Sequence, residues 1–225
     1  PPAEYNLVAK GAAGQRGDVF SFCMCPGGQI LPTNEVVDAV VTNGASRSKR
    51  EGPLANCGLV LTLDPREMFD DLDPFKAVEY LERIEQTAFK LAGQNYRVPA
   101  QRACDFVQHK PSAGTLDTSY PLGGQWADIR QVIPSDVADA IAKAIEQLDV
   151  KLPGFGGPET LVTAPETRAS SPLRMTRNRR TRQSASAQNL YPIGEGAGYA
   201  GGIVSAAIDG MKTAELIINR YKPIP

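Results

Sequence analysis

Residues 189–217 read NLYPIGEGAGYAGGIVSAAIDGMKTAELI. They combine a short apolar segment over 189–193, which predicts a strand, with five glycines over 194–202 and a helical pattern over about 203–220. Glycine lets a backbone approach a bulky ligand, and the first turn of a helix presents N–H groups without intrahelical acceptors. The combination predicts a strand, a loop and a helix, with an electron-rich or anionic group held at the loop.

The glycine loop contains the pattern G-x-G-x-x-G at Gly196, Gly198 and Gly201, which is typical of a dinucleotide-binding βαβ unit. A complete unit needs a second parallel strand after the helix, and the 225 residues leave no room for one. Glu195 would repel a pyrophosphate but would accept hydrogen bonds from hydroxyl groups. The ligand atoms beside Glu195 are therefore expected to be sugar or ribityl hydroxyls.

The remaining sequence predicts an alternation of strands and helices. Short apolar runs separated by glycine and proline predict strands of one small sheet at 19–24, 29–31, 40–42 and 59–63. Three- and four-residue spacing of apolar positions predicts helices at 74–93, 99–107 and 136–148, the last capped by Ser135. The same periodicity places an inner, apolar face on the final helix, composed of Ile203, Ala207, Met211, Ala214 and Ile218.

Composition and charge exclude several classes of protein. The 24 Lys and Arg residues against 25 Asp and Glu give a net charge of −1, which argues against a globally basic nucleic-acid protein. Hydrophobic residues make up 42% of the chain, and no apolar run approaches the ~18 residues of a membrane span. The sequence therefore predicts a soluble globular protein that is not associated with a membrane. The four cysteines are too few for a secreted disulfide scaffold, so a reducing, cytoplasmic setting is expected.

Catalytic signatures of other enzyme classes are missing from the sequence. It contains no G-x-S-x-G elbow, no H-E-x-x-H and no Walker lysine, which argues against the usual hydrolases, metalloproteases and nucleoside triphosphatases. The single histidine, His109, is interpreted as a surface or helix-capping residue, with proton transfer as the alternative. No metal site is predicted, because Cys23 and Cys25, which are expected to share one face of a strand, would need two further ligands.

Several motifs together resemble a known family of flavoproteins. They are SFCMCPGG at 21–28, VTNG at 41–44, PAQR at 99–102 with Asp105 and Phe106, ETR at 166–168 with SSP at 170–172, and YPIGEGAGYAGGI at 191–203. With these motifs the chain resembles the C-terminal part of the FAD-dependent, or NAD/FAD-utilising, dehydrogenases, whose FAD-binding domain is of the two-dinucleotide-binding type. The resemblance spans nearly the whole chain.

The resemblance implies an α/β fold divided between two domains. Residues 1–157 would be part of an α+β substrate or cap domain, and residues 158–225 would be the C-terminal strand–loop–helix segment of a Rossmann-like FAD-binding domain. The N-terminal FAD-binding βαβ unit is not in this sequence, which begins with Pro1 and no export signal. The chain is therefore expected to be a fragment that is inactive alone and has the N-terminal half as its partner. The full-length protein would be an FAD-dependent oxidoreductase.

The resemblance also assigns site residues. Glu195 would bind ribityl hydroxyls, residues 199–202 would line the isoalloxazine ring, and the amino end of the last helix would favour a reduced, anionic flavin. The implied FAD-binding residues are Gly194, Glu195, Gly196, Gly198, Tyr199, Ala200, Gly201, Gly202 and Ile203. Arg168 and Arg174 are candidate contacts for a carboxylate substrate, with pairing of Arg168 to Glu166 as the alternative.

Several alternatives stay open at this stage. Cys23 and Cys25 are either buried structural thiols or redox groups and substrate contacts beside the flavin. The arginines at 174, 177, 179, 180 and 182 form a solvated hairpin or contact an anionic partner. A non-catalytic ligand-binding module and a flavoprotein acting on RNA are the alternative functions, although nucleic acid is disfavoured because stacking aromatic residues are absent beside these arginines. The sequence leaves open the small-molecule substrate, the catalytic residues and any part played by NAD(P)H.

Overall fold

The computed structural model describes residues 7–69 and 73–221 and shows a mixed α/β architecture, as the sequence predicts. The chain divides into two compact units, of which the first comprises Pro1–Met68 and Tyr80–Thr167, and the second comprises Phe69–Glu79 and Arg168–Pro225. This division lies ten residues beyond the predicted domain boundary at 157/158. Among the described residues, no helix has the length and apolar character needed to cross a bilayer.

The described residues of the amino-terminal half of the first unit contain five strands: β1 (Val8–Ala9), β2 (Val19–Cys25), β3 (Gly28–Pro32), β4 (Thr42–Ser46) and β5 (Asn56–Val60). They form two antiparallel sheets, β1-β2-β5 and β3-β4, so the prediction of a single sheet is wrong. Of the strand predicted at 40–42, only Thr42 lies in a strand, as the first residue of β4. Val40 and Val41 are buried, but the backbone N–H of Val40 donates to Glu85 O at 3.1 Å instead of to a strand.

Strand β2 contains a bulge that changes the expected directions of the cysteine side chains. Its register with β5 shifts between Phe22 and Cys25, and Cys23 has a φ of 46°. Simple alternation of side chains does not continue across a bulge. The prediction that Cys23 and Cys25 share one face of a regular strand therefore rests on a geometry that β2 does not have.

Helices α1 (Pro65–Met68), α2 (Lys76–Leu91), α3 (Ala103–Val107) and α4 (Ser135–Lys151) follow. The structure confirms the predicted helices at 74–93 and 136–148. Ser135 is the first residue of α4 and makes no capping hydrogen bond, because Pro134 occupies the N-cap position. The predicted cap is thus wrong.

The predicted helix at 99–107 is wrong over its first half. Residues Val98–Arg102 form β6, which pairs in parallel with β7 (Gly124–Trp126) and antiparallel with β8 (Leu161–Thr163). Four of the five residues of β6 are buried, so β6 does not show the alternation of buried and exposed positions that identifies a half-exposed strand. The pairing of β8 with β6 also keeps residues 158–167 in the first unit.

The core of the first unit lies where α3 and α4 pack with β1 and β6. Phe106, Ile129, Ile145 and Leu148 are among its fully buried side chains. Seven residues of α4 are buried, most of them alanines, and this small-residue face allows close packing. The buried face of α4 packs against α3, β1 and β2.

In the second unit, the sequence predicts the last helix but not its orientation. Helix α5 spans Ile203–Arg220, whereas residues 189–193 form no strand. The predicted inner face is wrong, since Ile203 is 91% exposed and Met211 and Ile218 are each 64% exposed. The buried positions of α5 are Asp209 and Thr213, which are polar.

Candidate functional site

The glycine loop before α5 contains glycines with different structural roles. Gly194 and Gly198 have φ values of 72° and 78°, a region that favours glycine. A Cβ atom on Gly198 would lie 2.2 Å from the carbonyl oxygen of Leu173, so the fold itself requires this glycine. Gly201 does not have a positive φ, and at Gly196 an added Cβ would meet nothing within 4 Å. The surface above Gly196 is therefore open.

The amino end of α5 is exposed next to this loop. The N–H group of Ala206 donates to Gly202 O at 2.9 Å, so the N–H groups at 203–205 have no acceptor within the helix. Ser205 Oγ accepts a hydrogen bond from Gly202 N at 3.2 Å. Glu195 is exposed, as is Val204 at 70%. The side chains of Ser170 and Ser205 lie against Gly201 and Gly202, respectively, while Ile203 and Val204 at the start of α5 are exposed. An electron-rich group fits the N–H groups of this first turn.

Tyr199 is held by the arginine-rich segment. Its hydroxyl donates to Met175 O at 2.9 Å, and the guanidinium carbon of Arg177 lies 3.5 Å from its ring centroid. Arg174 lies 5.3 Å from the same centroid and donates from Nε to Gly198 O at 2.9 Å. One face of the Tyr199 ring is thus used inside the second unit, and its predicted contact with isoalloxazine stays a prediction.

Two arginines of the cluster are joined to Asp209 of α5. Arg177 forms a bidentate pair with its carboxylate, with Nη1–Oδ2 at 2.9 Å and Nη2–Oδ1 at 2.7 Å, and Arg182 Nη1 lies 2.6 Å from Oδ1. Gly194 N also donates to Oδ2 at 3.0 Å. Hydrogen bonding from Arg177 is the largest cause that lowers the pKa of Asp209 far below its ordinary value. The segment is therefore not a fully solvated hairpin.

The predicted substrate contacts are divided between the two units. Cys23 and Cys25 belong to β2 of the first unit, and Arg168 and Arg174 belong to the second unit. Arg168 is exposed. Arg174 uses its Nε to hold the glycine loop, which is a structural contact that the sequence analysis did not foresee. The role of these four residues in substrate binding stays a prediction.

The first unit contains a cleft of about 570 Å³ that the sequence analysis missed. Its volume lies within the range of about 300–1,000 Å³ that is usual for small-molecule sites. The walls come from β4, β5, β8, α4 and the segment at 117–119. Apolar side chains that line it include Ile30, Leu59, Ile141, Ile145, Phe155 and Val162.

Glu166 is the most perturbed carboxyl group of this cleft. Its Oε1 atom is buried and has no hydrogen-bond partner. Burial raises the pKa of Glu166 to about 7. A guanidinium or ammonium group in contact with the Glu166 carboxylate would lower this pKa, and burial is the cause that raises it. A carboxyl group that titrates near neutral pH inside a cleft is a typical candidate for ligand binding or proton transfer.

Two strand glycines make room for the polar side chains of the cleft. A Cβ on Gly58 would lie 2.1 Å from Glu166 Oε2, and a Cβ on Gly44 would lie 2.0 Å from Asn56 Oδ1. Asn56 and Gly58 are two residues apart on β5, so they are directed to the same face. Asn56 Nδ2 is also buried and lacks a partner. Glycine within a strand was the signal that could have located this site, because it often marks a close approach.

The cysteines near Glu166 are neutral thiols. Burial is the largest cause that raises the pKa of Cys23 and Cys25, and it raises the pKa of Cys57 to about 11. The Glu166 carboxylate contributes to all three shifts. Cys25 Sγ donates to Cys23 O at 3.0 Å. Since the thiolate is the reactive form, these values favour the structural interpretation of Cys23 and Cys25.

The described residues contain no group of three or more His, Cys, Asp or Glu side chains placed to hold a metal ion. His109 follows the end of α3, is exposed and has a φ of 57°. A left-handed residue at this position commonly ends a helix. The capping interpretation of His109 therefore accounts for its geometry.

Comparison with known proteins places these features in a family. The chain is 38% identical over 221 residues to an uncharacterised protein of Clostridium beijerinckii. The aligned region covers 97% of this chain and 41% of that protein. It thus spans about two fifths of the length of that relative. Residues 1–169 match a family described as "FAD-dependent protein, C-terminal domain-like". That match ends two residues beyond Thr167, where the first unit ends. The chain belongs to this family of FAD-dependent proteins, as a C-terminal domain-like member.

Proposed function

We propose that the chain is the C-terminal part of a cytoplasmic FAD-dependent oxidoreductase with a dehydrogenase-like activity. In this proposal the second unit contributes to the FAD-binding domain, and residues 194–203 contact the flavin. The first unit supplies the substrate or cap domain. The observation that carries the proposal is the open corner formed by Gly196 and the exposed amino end of α5, in a chain of an FAD-dependent family.

The residues of this corner suit the polar parts of FAD. The open N–H groups at 203–205 and the positive end of the α5 dipole would stabilise negative charge on the flavin ring. The exposed carboxylate of Glu195 would accept hydrogen bonds from ribityl hydroxyls. FAD, when bound, supplies the hydride chemistry, so this chain needs no nucleophile of its own. Its residues bind, orient and electrostatically tune the cofactor.

The arginine-rich segment gives no specific support to the RNA-modifying alternative. Arg177 and Arg182 are paired with Asp209, which leaves fewer charges in this segment for a phosphate backbone. The non-catalytic binding module remains the alternative that the experiment must separate from the oxidoreductase. NAD(P)H as electron donor or acceptor belongs to the same proposal and is tested by the same reduction assay.

The test uses the longer protein that contains this chain. We expect the purified protein to retain FAD, to show visible flavin absorbance, and to lose that absorbance on addition of NADH, NADPH or dithionite. A colourless protein that stays colourless with added FAD would support the binding module instead. Bleaching by dithionite alone would show that the bound flavin can be reduced and that neither NADH nor NADPH is its electron donor.

Glu195→Ala addresses the assigned cofactor contact. We expect it to weaken FAD retention by at least about tenfold, the lower bound for the loss of one charge-assisted hydrogen bond. Glu215→Ala, on an exposed position of α5, is the matched control. Equal FAD occupancy in the two variants would remove Glu195 from the site.

A further inference from the structure

The cleft of the first unit has a consistent electrostatic character. Asp117, Glu159 and Glu166 line it, and no lysine, arginine or histidine does so among the residues that the structure describes. An anion entering the cleft would meet three carboxyl groups and no compensating cation. The cleft therefore disfavours the carboxylate substrate that the arginines of the second unit suggest.

Glu166 provides an unsatisfied acceptor at the wall of this cleft. Its Oε1 atom is buried without a donor, although a buried carboxylate normally has hydrogen-bond partners or an opposite charge. Gly58 has no side chain, which lets the carboxyl group lie directly against β5. A positively charged N–H donor is the group that would satisfy this atom best.

The rest of the wall is mixed and includes a set of apolar side chains. Ile141 and Ile145 of α4 and Phe155 line one part, and Leu59 and Val162 line another. An apolar body enclosed by these side chains gains free energy from burial. Asn56 also lines the cleft, and its Nδ2 atom is a second buried polar atom without a partner.

We propose that this cleft binds an organic ammonium ion with an apolar body and that Glu166 is its counter-ion. The Glu166 carboxyl group turns into the cleft to accept from the ligand's N–H groups, and the apolar part of the ligand lies between α4 and β5. The proposal does not depend on the flavin proposal, because every lining residue belongs to the first unit and binding requires no FAD.

Binding of an ammonium ion should depend on pH through Glu166. The titratable side chains coupled to this carboxyl group are Cys23, Cys25 and Cys57, which stay neutral thiols at neutral pH because their pKa values are raised. The cleft adds the carboxylates of Asp117 and Glu159. Ionisation of Glu166 therefore creates an uncompensated negative charge as the pH rises through about 7. Affinity for an ammonium ion rises over the same interval.

The test is isothermal titration calorimetry of the full chain with benzylammonium, benzyl alcohol and benzoate, which share one ring and differ in charge. At about pH 8 we expect benzylammonium to bind at least about tenfold more tightly than benzyl alcohol, and benzoate to bind most weakly. At about pH 5.5 the difference between benzylammonium and benzyl alcohol should shrink, because Glu166 is protonated.

Glu166→Gln should abolish the preference for benzylammonium, whereas Glu146→Gln should keep it. Glu146 is exposed on α4 and does not line the cleft, so its variant controls for the change in net charge. Benzoate binding as tightly as benzylammonium, no saturable binding of benzylammonium, or a preference retained in Glu166→Gln would each overturn the proposal. If Glu166→Gln fails to fold, the pH dependence of the unmodified chain tests the proposal instead. A preference for benzylammonium that is equally large at about pH 5.5 and pH 8 would then overturn it.

Discussion

Arg177 and Asp209 form a bidentate ion pair that joins the arginine-rich segment to α5. Their side chains are only 8% and 11% exposed, and the two nitrogen–oxygen distances are 2.9 and 2.7 Å. Gly194 N donates to the same carboxylate, so Asp209 also holds the start of the glycine loop. One carboxylate thus connects the loop, the arginine-rich segment and the helix within the second unit.

Asp209→Ala should strongly destabilise the second unit. It leaves Arg177 and Arg182, which are partly buried, without their counter-ion; breaking a fully buried pair from one side costs about 3–5 kcal/mol, which is the upper bound here. Urea unfolding followed by circular dichroism measures the loss. Glu215→Ala on the exposed side of α5 should change the free energy of unfolding by less than about 0.5 kcal/mol. Equal stability of the two variants would contradict the role of Asp209.

The same carboxylate should give the second unit an acid-sensitive stability. The folded-state pKa of Asp209 is lowered, so the unfolded chain binds its proton at higher pH than the folded chain does. The stabilisation is complete above the unfolded pKa of about 3.9 and decreases at lower pH. Asp209→Asn should remove this part of the acid dependence in urea titrations between about pH 2 and 5. An unchanged pH profile in Asp209→Asn would refute the assignment.

Glu166 should give the opposite pH dependence in the first unit. Its folded-state pKa is raised to about 7, so the folded chain retains a proton that the unfolded chain loses near pH 4.3. Stability therefore decreases as the pH rises from about 4 to 7, by about 2–3 kcal/mol in total if Glu166 acts alone. Glu166→Gln should flatten this decrease in chemical unfolding measured across that range. A decrease of the same size in the variant would assign it to another group.

Gly58→Ala tests the position of the Glu166 carboxyl group. The added methyl group would lie 2.1 Å from Oε2, the flexible end of the side chain, so the carboxyl group moves and the fold persists. Displacement into a more hydrated position should bring the Glu166 pKa down towards its ordinary value. Carbon-13 NMR titration of the carboxyl group measures this change. A pKa that stays near 7 would show that Gly58 does not control the burial of Glu166.

Two glycines of the loop should respond differently to alanine. Gly196→Ala meets open space, so we expect native stability but weaker FAD retention in the longer protein if the flavin lies there. Gly198→Ala would collide with Leu173 O and adopt an unfavourable positive φ, so it should destabilise the second unit by about 1–3 kcal/mol. Flavin absorbance and urea unfolding separate the two effects. Full FAD occupancy in Gly196→Ala would place the flavin elsewhere.

The sequence predicts helices better than strands in this chain. Helices α2, α4 and α5 follow from periodicity that extends over four or more turns, which local spacing alone records. Strand β6 was missed because a five-residue buried strand and a short buried helix carry similar apolar patterns. The strand predicted at 189–193 does not form, since this apolar segment has no neighbouring strand with which to pair in the described residues.

The glycine loop and the helix after it could be recognised in the sequence, because glycine spacing and helical periodicity are local properties of the chain. Tertiary contacts decided which face of α5 is buried, since Arg177 and Arg182, more than twenty residues away, turn Asp209 inward. They also created the cleft around Glu166. Its burial depends on Gly58, which is more than one hundred residues earlier in the chain. Removal of a charged group from water requires neighbours distant in sequence, and residue order does not state which neighbours these are.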